Sequence, residues 1–257
     1  MSSRCVQGDA TAGARYEALL GGRKARLLLT DPPYCLLTRR RKGGDEREPK
    51  GRKLERGPLR RFEDTREYRA FTQAWLSKAV EHLDAEAPLV IWTNLLGRAP
   101  ITTVARELGF GALRGEYVWA KRTREGNSGE ELLRMVETAL VFTRAPAPPQ
   151  ADGDPALPWA VVAGVDDDGE AARWGSHPSH KPFGVLEPLL RTWSRPGALV
   201  LDCFGGSGSI AAAALRLGRD AACLELEPEW VERITARLAP LPSPRARGEG
   251  PGEGSSE

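Results

Sequence analysis

The sequence contains few cysteines and histidines and no long apolar run. Its four cysteines, Cys5, Cys35, Cys203 and Cys223, show no close pairing pattern, so reduced thiols in a cytoplasmic protein are expected. The three histidines lack cysteine or carboxylate partners in a metal-ligand pattern, and no metal is expected. The first residues form no apolar signal core, and no stretch approaches the ~20 apolar residues of a membrane span. Secretion and a membrane partner are therefore not expected.

Strand and helix patterns alternate along the 257 residues, of which 40% are hydrophobic. An apolar stripe over residues 68–83 predicts a core helix that begins at Asp64 or Thr65. Residues 88–92 predict a strand, and residues 101–108 predict a helix closed by Gly109. This alternation predicts an α/β fold, in which helices cover both faces of a mainly parallel twisted sheet.

A rigid turn follows the apolar run at residues 25–30. It consists of Asp31, Pro32, Pro33 and Tyr34. The prolines fix the backbone and remove N–H donors, so the carbonyls of the turn are available as acceptors. Asp31 adds a carboxylate, and Tyr34 adds a ring on which a base can stack. The turn predicts a site for a flat ring that carries an amino group, such as adenine or cytosine, although similar turns also occur as plain strand-to-loop connections.

A glycine-rich turn between a strand and a helix lies far downstream. It contains Asp202, Phe204, Gly205, Gly206, Ser207 and Gly208. Glu225 ends the following strand about 20 residues later, where an acid can bind both ribose hydroxyls. The turn has neither the G-x-G-x-x-G pattern of a dinucleotide site nor the G-K-[ST] of a phosphate-binding loop. An adenosyl cofactor without a phosphate chain is therefore predicted.

The order of these motifs resembles that of one family. Asp31-Pro32-Pro33-Tyr34 precedes the glycine turn, as in the β-group of S-adenosylmethionine-dependent DNA amino-methyltransferases. Residues 177–182 resemble the family's His-Pro-Thr-Gln-Lys-Pro segment, and Gly8-Asp9 resembles a short element near the adenine end of the cofactor. The resemblance spans roughly residues 5–239. The departures are Cys203 for the usual Pro, Ser209 for Thr and His180 for Gln.

The resemblance implies a Rossmann-like methyltransferase fold with a circularly permuted motif order, and S-adenosylmethionine as cofactor. It implies that Asp31, Pro32, Pro33 and Tyr34 act on a nucleotide flipped out of double-stranded DNA. The implied cofactor contacts are Asp9, Ala10, Lys181, Asp202, Phe204, Gly205, Gly206, Ser207, Gly208 and Glu225. Asp at the first position of the tetrapeptide is commoner among adenine-N6 enzymes, and Ser among cytosine-N4 enzymes, so adenine is the expected target. A homodimer and a cognate restriction nuclease stay open as partners.

Positive charge is concentrated immediately after the tetrapeptide. Residues 39–61 hold 11 Lys/Arg against 4 Asp/Glu, whereas the whole chain carries only +2. Interspersed glycines and prolines disfavour regular structure, so a basic loop is predicted over residues 35–63. Such a loop can neutralise backbone phosphates, with Arg39, Arg40, Arg41 and Lys42 as contacts. The alternative is a solvated loop without a ligand.

The chain is expected to divide into four segments. Residues 1–143 form the catalytic half of the methyltransferase domain, and residues 177–239 form its cofactor-binding half. Between them, residues 144–176 carry several prolines and an acidic run at 166–168, which suits either a target-recognition insertion or a plain linker. Residues 240–257 are rich in Pro, Gly, Ser and Glu and are predicted to be a disordered tail.

Two other functions are compatible with parts of this pattern. A methyltransferase for RNA or for a protein amide can share the tetrapeptide, but such enzymes usually place the cofactor loop first. A non-catalytic nucleic-acid-binding module would show a damaged cofactor loop or a lost acid. Asp31, Gly206, Gly208 and Glu225 are all present, which favours an enzyme.

Overall fold

The computed structural model describes residues 3–38, 60–121, 135–146, 149–151, 169–174, 177 and 179–239. Among the helices of these ranges, none combines the length and the apolar character needed to cross a membrane. The elements in chain order are β1 (Arg4–Gln7), α1 (Gly13–Leu20), β2 (Leu27–Thr30), α2 (Thr65–Val80), β3 (Leu89–Thr93), α3 (Arg98–Glu107), β4 (Ala112–Lys121), β5 (Met135–Thr143), α4 (Glu170–Trp174), α5 (Phe183–Trp193), β6 (Leu199–Asp202), α6 (Ser209–Arg216), β7 (Asp220–Glu225) and α7 (Pro228–Leu238).

The strands form one sheet in the order β1-β7-β6-β2-β3-β5-β4. The first five strands in this order pair in parallel. β5 runs antiparallel to both β3 and β4. The predicted mainly parallel sheet is thus confirmed. The antiparallel pair at the β4 edge is the part that strand–helix alternation does not predict.

Helices cover both faces of the sheet, as predicted. Strand β2 shows how the core divides, since successive side chains of a strand point to opposite faces. Leu28 packs in a cluster with residues of α1, α2 and α3. Leu27 and Leu29 pack in a second cluster with residues of α5, α6 and α7. All three leucines are fully buried, which accounts for the continuous apolar run of this central strand.

The predicted start of α2 is also confirmed. The Asp64 carboxylate caps the helix by accepting hydrogen bonds from the backbone N–H groups of Arg66 and Glu67, at 2.8 and 2.9 Å. Tyr68 and Trp75, from the predicted apolar stripe, are fully buried in the core.

Candidate active site

The predicted motifs come together at the carboxyl edge of the parallel strands. β2 and β6 are hydrogen-bonded neighbours, with Leu28 opposite Leu201, and β7 lies on the other side of β6. The tetrapeptide that follows β2, the glycine turn that follows β6 and Glu225 at the end of β7 therefore share one edge. Ligands of open α/β sheets bind outside the carboxyl ends of the strands, so this edge is the candidate active site.

A threonine hydroxyl joins the two central strand ends. Thr30 Oγ1 donates to Asp202 Oδ1 at 2.7 Å and accepts from the N–H of Cys203 at 3.1 Å. The N–H of Phe204 also donates to Asp202 Oδ1, at 3.1 Å. Burial raises the pKa of the Asp202 carboxyl to about 7, against the lowering effect of the Thr30 and Phe204 donors. The start of each loop is thereby fixed relative to the other.

Four polar side chains form a group that we call the charge cluster. It contains the buried Asp31, Glu137 and Lys181 and the half-buried Tyr34. The Lys181 ammonium lies 2.5 Å from Asp31 Oδ2 and 2.9 Å from Glu137 Oε2. The Tyr34 hydroxyl donates to Glu137 Oε2 at 2.7 Å, and Lys181 Nζ lies 3.3 Å from the Tyr34 oxygen. Asp31, Glu137 and Lys181 are 7%, 4% and 1% exposed, so these three charges lie next to one another almost out of contact with water.

The electrostatics of the charge cluster keep Lys181 positive and Tyr34 neutral. Burial lowers the pKa of the Lys181 ammonium, but the nearby Asp31 and Glu137 carboxylates outweigh burial and raise this pKa above its ordinary value. Burial, with the negative charges of Asp31 and Glu137, raises the pKa of the Tyr34 hydroxyl well above its ordinary value. Tyr34 therefore stays a hydrogen-bond donor to Glu137.

Sequence reasoning missed Glu137 and the partners of Lys181. A signal for Glu137 existed, since it is the single acidic residue in the otherwise apolar and threonine-containing stretch of β5. For Lys181 a cofactor contact was predicted from the resemblance. The structure places its ammonium at Asp31 and Glu137, and its backbone N–H lies 3.4 Å from Ser209 Oγ, just after the glycine turn. The cofactor role of Lys181 stays a prediction.

The glycine turn needs glycine at specific positions. Gly206 and Gly208 have φ angles of +53° and +73°, which disfavour any side chain. A Cβ atom on Gly206 would also lie 3.0 Å from His177 Cε1, and one on Gly205 would lie 2.9 Å from Ile234 Cδ1. The backbone conformation at Gly206 and Gly208 and the close packing of the turn therefore disfavour larger residues here.

Glu225 closes the glycine turn from the side of β7. Its Oε2 accepts from the N–H of Gly206 at 2.6 Å, and its Oε1 accepts from the N–H of Glu227 at 2.9 Å. Burial raises the pKa of the Glu225 carboxyl, against the lowering effect of these two donors. Because a carboxylate can accept about four hydrogen bonds, Glu225 retains acceptor capacity for a ligand hydroxyl.

The predicted Gly8-Asp9 element lies next to Glu225. The N–H of Gly8 donates to the backbone oxygen of Glu225 at 2.9 Å. Asp9 Oδ1 accepts from the N–H and hydroxyl of Thr11, at 2.8 and 2.9 Å, and Ala10 is buried. The structure thus brings residues 8–10 to the same edge as the glycine turn.

Two histidines lie against the glycine turn. His177 Nδ1 is 2.7 Å from Ser179 Oγ, and the ring packs edge-on against Trp230. His180 Nδ1 is 3.2 Å from Ser207 Oγ. Burial lowers the pKa of His177 to about 4, so its ring is neutral, and Nδ1 accepts from the N–H of Ser179 at 3.2 Å. This segment therefore supports the turn and leads the chain to Lys181.

The described ends of the predicted basic loop pair with each other beside the tetrapeptide. The N–H of Phe62 donates to the backbone oxygen of Leu36 at 2.9 Å, and the N–H of Thr38 donates to that of Phe62 at 3.0 Å. Arg39, Arg40, Arg41 and Lys42 lie outside the described residues. Their predicted contacts with nucleic acid stay predictions.

Comparison with known proteins identifies the family. A family model described as "DNA methylase" (N6_N4_Mtase) matches residues 25–236. This range covers most of the chain and contains the tetrapeptide, the charge cluster and the glycine turn. The chain belongs to this family of DNA methylases.

Individual relatives match along nearly the whole chain. The Escherichia coli (strain K12) protein named "Putative methylase YubD" is 28% identical over 241 residues, which are 92% of this chain and 90% of that protein. The crystal structure of an M1.HpyAVI-SAM complex is similar with a TM-score of 0.67 and 17% identity, over 92% of this chain and 99% of that one. The cytosine-N4-specific PvuII DNA methyltransferase has a TM-score of 0.63 and 19% identity, over 93% and 87%. These structural likenesses establish the Rossmann-like methyltransferase fold.

Proposed function

We propose that the protein is a site-specific DNA methyltransferase, which transfers a methyl group from S-adenosylmethionine to the N6 amino group of an adenine flipped out of the duplex. The observation that carries this proposal is the position of Asp31. Its carboxylate is buried with Lys181 at the end of β2, directly beside the glycine turn at the end of β6. An amine acceptor and a methyl donor bound at these two loops would be immediate neighbours.

The residues at the glycine turn suit S-adenosylmethionine. Asp202 Oδ2 is buried and has no hydrogen-bond partner among the described residues. Glu225 has acceptor capacity at the position expected for ribose hydroxyls. Asp9 and Glu225 make this edge acidic, which would repel a pyrophosphate and attract a cofactor that carries a positive sulfonium. When bound, S-adenosylmethionine supplies an electrophilic methyl group.

The chain's own residues would orient the target amine. The Asp31 carboxylate and the Pro32 carbonyl accept its two N–H donors, which directs the nitrogen lone pair away from the turn. Tyr34 offers its ring for stacking, and Glu137 fixes that ring through the hydroxyl. Positioning of this kind, with exclusion of water, can contribute about 7–11 kcal/mol to lowering the barrier.

The second candidate is cytosine N4, because PvuII DNA methyltransferase with that specificity has a similar fold. Asp31 at the first position of the tetrapeptide supports adenine. The test is to incubate purified protein with S-adenosylmethionine and unmethylated bacterial DNA, and then to separate the nucleosides by mass spectrometry. N6-methyladenine is expected. N4-methylcytosine instead would overturn the adenine assignment, and no methylated nucleoside would overturn the proposed function.

Glu225→Ala is expected to weaken binding of S-adenosylmethionine. The substitution removes the acceptor proposed for the ribose hydroxyls and also releases the N–H of Gly206. Hydrogen bonds to a charged group are worth about 1.5–3 kcal/mol, so the Kd measured by titration calorimetry should rise by about 10–150-fold. Glu229→Ala is the control, since the Glu229 carboxylate pairs with Arg233 on the exposed surface of α7. An unchanged Kd for Glu225→Ala would place the ribose site elsewhere.

Replacing Arg39, Arg40, Arg41 and Lys42 by alanine is expected to weaken DNA binding similarly on all sequences. Phosphate contacts carry no base information. The slope of log affinity against log salt should fall by about 0.9 for each lost contact on duplex DNA. Affinities on two unrelated duplexes over a range of salt concentrations measure both effects. An unaltered slope would mean that these residues form a solvated surface only.

A further inference from the structure

We infer that Glu137 is a positioning residue for methyl transfer: it holds Lys181 and Tyr34 in their working places and keeps the charge cluster net negative. This inference rests on the proposed function, since it concerns the same pocket. No other residue of β5 reaches the charge cluster among the contacts of the described residues.

The topology of the sheet explains how a residue of β5 reaches a pocket at the end of β2. β5 is antiparallel to β3, so its first residues lie at the carboxyl edge of the parallel strands. Thr138 pairs with Thr93, the last residue of β3. Glu137 lies one position beyond this pair and is buried. Its carboxylate can therefore contact side chains that follow β2, the strand on the other side of β3.

One oxygen of Glu137 holds two different groups. Glu137 Oε2 accepts from the Tyr34 hydroxyl at 2.7 Å and from the Lys181 ammonium at 2.9 Å. Tyr34 supplies the ring proposed for base stacking, and Lys181 contacts Asp31, the proposed acceptor for the amine. Glu137 therefore positions the stacking ring through Tyr34 and the amine acceptor through Lys181. It needs no contact with the target base itself.

The charge balance gives Glu137 a second effect. Lys181 alone would neutralise Asp31, whereas two carboxylates around one ammonium leave a net charge of −1 with Tyr34 neutral. The attacking amine becomes more positive as the reaction proceeds. A negative charge fixed nearby in a poorly solvated pocket stabilises that change more than it stabilises the neutral amine. The arrangement thus favours the transition state over the bound substrate.

Stability alone is a weak explanation for an acid at this position. β5 is otherwise suited to an apolar core, and a buried ion pair is often no more stabilising than apolar side chains of the same volume. The contacts of Glu137 with Tyr34 and Lys181 belong to the polar network at the site. A role in the reaction accounts for a buried carboxylate that packing does not require.

The test uses Glu137→Gln in the full-length protein. Glutamine preserves the size and can still accept from Tyr34, but it removes one negative charge. We expect kcat to fall by about 10–100-fold, as when a reacting group is slightly misplaced. The Kd values for S-adenosylmethionine and for duplex DNA should stay within about 3-fold of wild type, because the binding contacts are retained. A kcat within 2-fold of wild type in a folded variant would overturn the inference.

The pH dependence separates an electrostatic role from a structural one. With one carboxylate fewer, the pKa of Lys181 falls, so Lys181 loses its proton at a lower pH. The Lys181 ammonium holds Asp31 in place, so loss of its proton should release Asp31 and lower kcat. The basic limb of the kcat profile should therefore move to lower pH in Glu137→Gln and return towards wild type in Glu137→Asp, which restores the charge. Titration of the Lys181 ¹⁵Nζ resonance, assigned by its loss in Lys181→Met, should show the same shift without cofactor or DNA. An unmoved titration would overturn the electrostatic role.

Glu116→Gln is the matched control. Glu116 lies on the neighbouring strand β4 and pairs with the exposed Arg98, away from the charge cluster. The Glu116→Gln variant should leave kcat and both pH titrations unchanged.

If Glu137→Gln unfolds, Glu137→Asp and Tyr34→Phe replace that variant. The inference requires a reduced kcat in each of them, and wild-type kcat in both would overturn the inference. Wild-type protein without methyl transfer would instead overturn the proposed function, and the NMR titration would still report on Glu137.

Discussion

Asp31→Ala is expected to abolish methyl transfer while leaving the affinity for S-adenosylmethionine within a few-fold of wild type. Asp31 is the proposed acceptor for one N–H of the target amine, and it lies on the tetrapeptide side of the site. Loss of one preorganised electrostatic group typically costs about 10²–10³-fold in kcat. Here the loss should be at the upper end, because Asp31 also holds Lys181. Transfer of tritiated methyl groups to DNA, with calorimetric titration of the cofactor, measures the two quantities separately.

The fold should survive this substitution. Lys181 keeps Glu137 as a buried partner at 2.9 Å, so no uncompensated ammonium is left in the core. Asp220→Ala is a suitable control, because Asp220 is also a largely buried aspartate with a cationic partner, Arg23, at 2.8 Å. It lies at the start of β7, the strand end opposite to the site, and should retain activity. Equal losses of transfer and cofactor affinity in Asp31→Ala would contradict the proposed role.

Lys181→Met is expected to cause a large loss of stability. The substitution leaves two buried carboxylates, Asp31 and Glu137, facing each other without their shared cation. Removing one partner of a buried ion pair costs about 3–5 kcal/mol. For a domain of this size the melting temperature should fall by about 6–20 °C. Thermal unfolding followed by circular dichroism measures the loss.

Two further variants show whether charge causes this effect. Lys78→Met removes the ammonium of an exposed pair with Glu81, and such pairs contribute at most about 1 kcal/mol. Adding Glu137→Gln to Lys181→Met should recover part of the lost stability, because it removes one of the two negative charges that Lys181 contacts. A double variant less stable than Lys181→Met would show that the stability lost in Lys181→Met comes from packing and not from charge.

The sequence-based prediction of the fold succeeded where the signal was local. The strand β6, the glycine turn and the helix α6 are contiguous in the chain. The positive φ angles of Gly206 and Gly208 favour glycine, so the turn can be recognised in the sequence. Asp64 predicts the start of α2, because its capping hydrogen bonds involve only the next three residues. The alternation of such units was sufficient to predict a mainly parallel sheet with helices on both faces.

The antiparallel pairing of β5 could not be predicted in the same way. Apolar periodicity indicates that a segment such as β5 is a strand. It does not indicate which strand pairs with β5, or whether the two run parallel or antiparallel. β5 pairs with β3, which ends more than forty residues earlier in the chain. That pairing depends on tertiary packing, and it decides which residues of β5 reach the site.

The charge cluster could be predicted only in part for the same reason. Asp31 and Tyr34 belong to a short motif, whereas Glu137 contacts Tyr34 across 103 positions of sequence. Lys181 contacts Asp31 across 150 positions. A resemblance indicated that Lys181 matters, but only the three-dimensional structure places its ammonium between two carboxylates. The roles predicted for the site residues and for Arg39, Arg40, Arg41 and Lys42 stay predictions.

The pairing of β2 with β6 sets a length scale for the proposed reaction. Adjacent strands lie about 4.7–4.9 Å apart, and the Thr30 hydroxyl ties their ends together. Reacting atoms need to approach to about 3–3.5 Å, a little less than one strand spacing. Ligands bound at the two loops would therefore lie near reacting distance. The spacing of the two strands would then set the distance between the methyl donor and its acceptor.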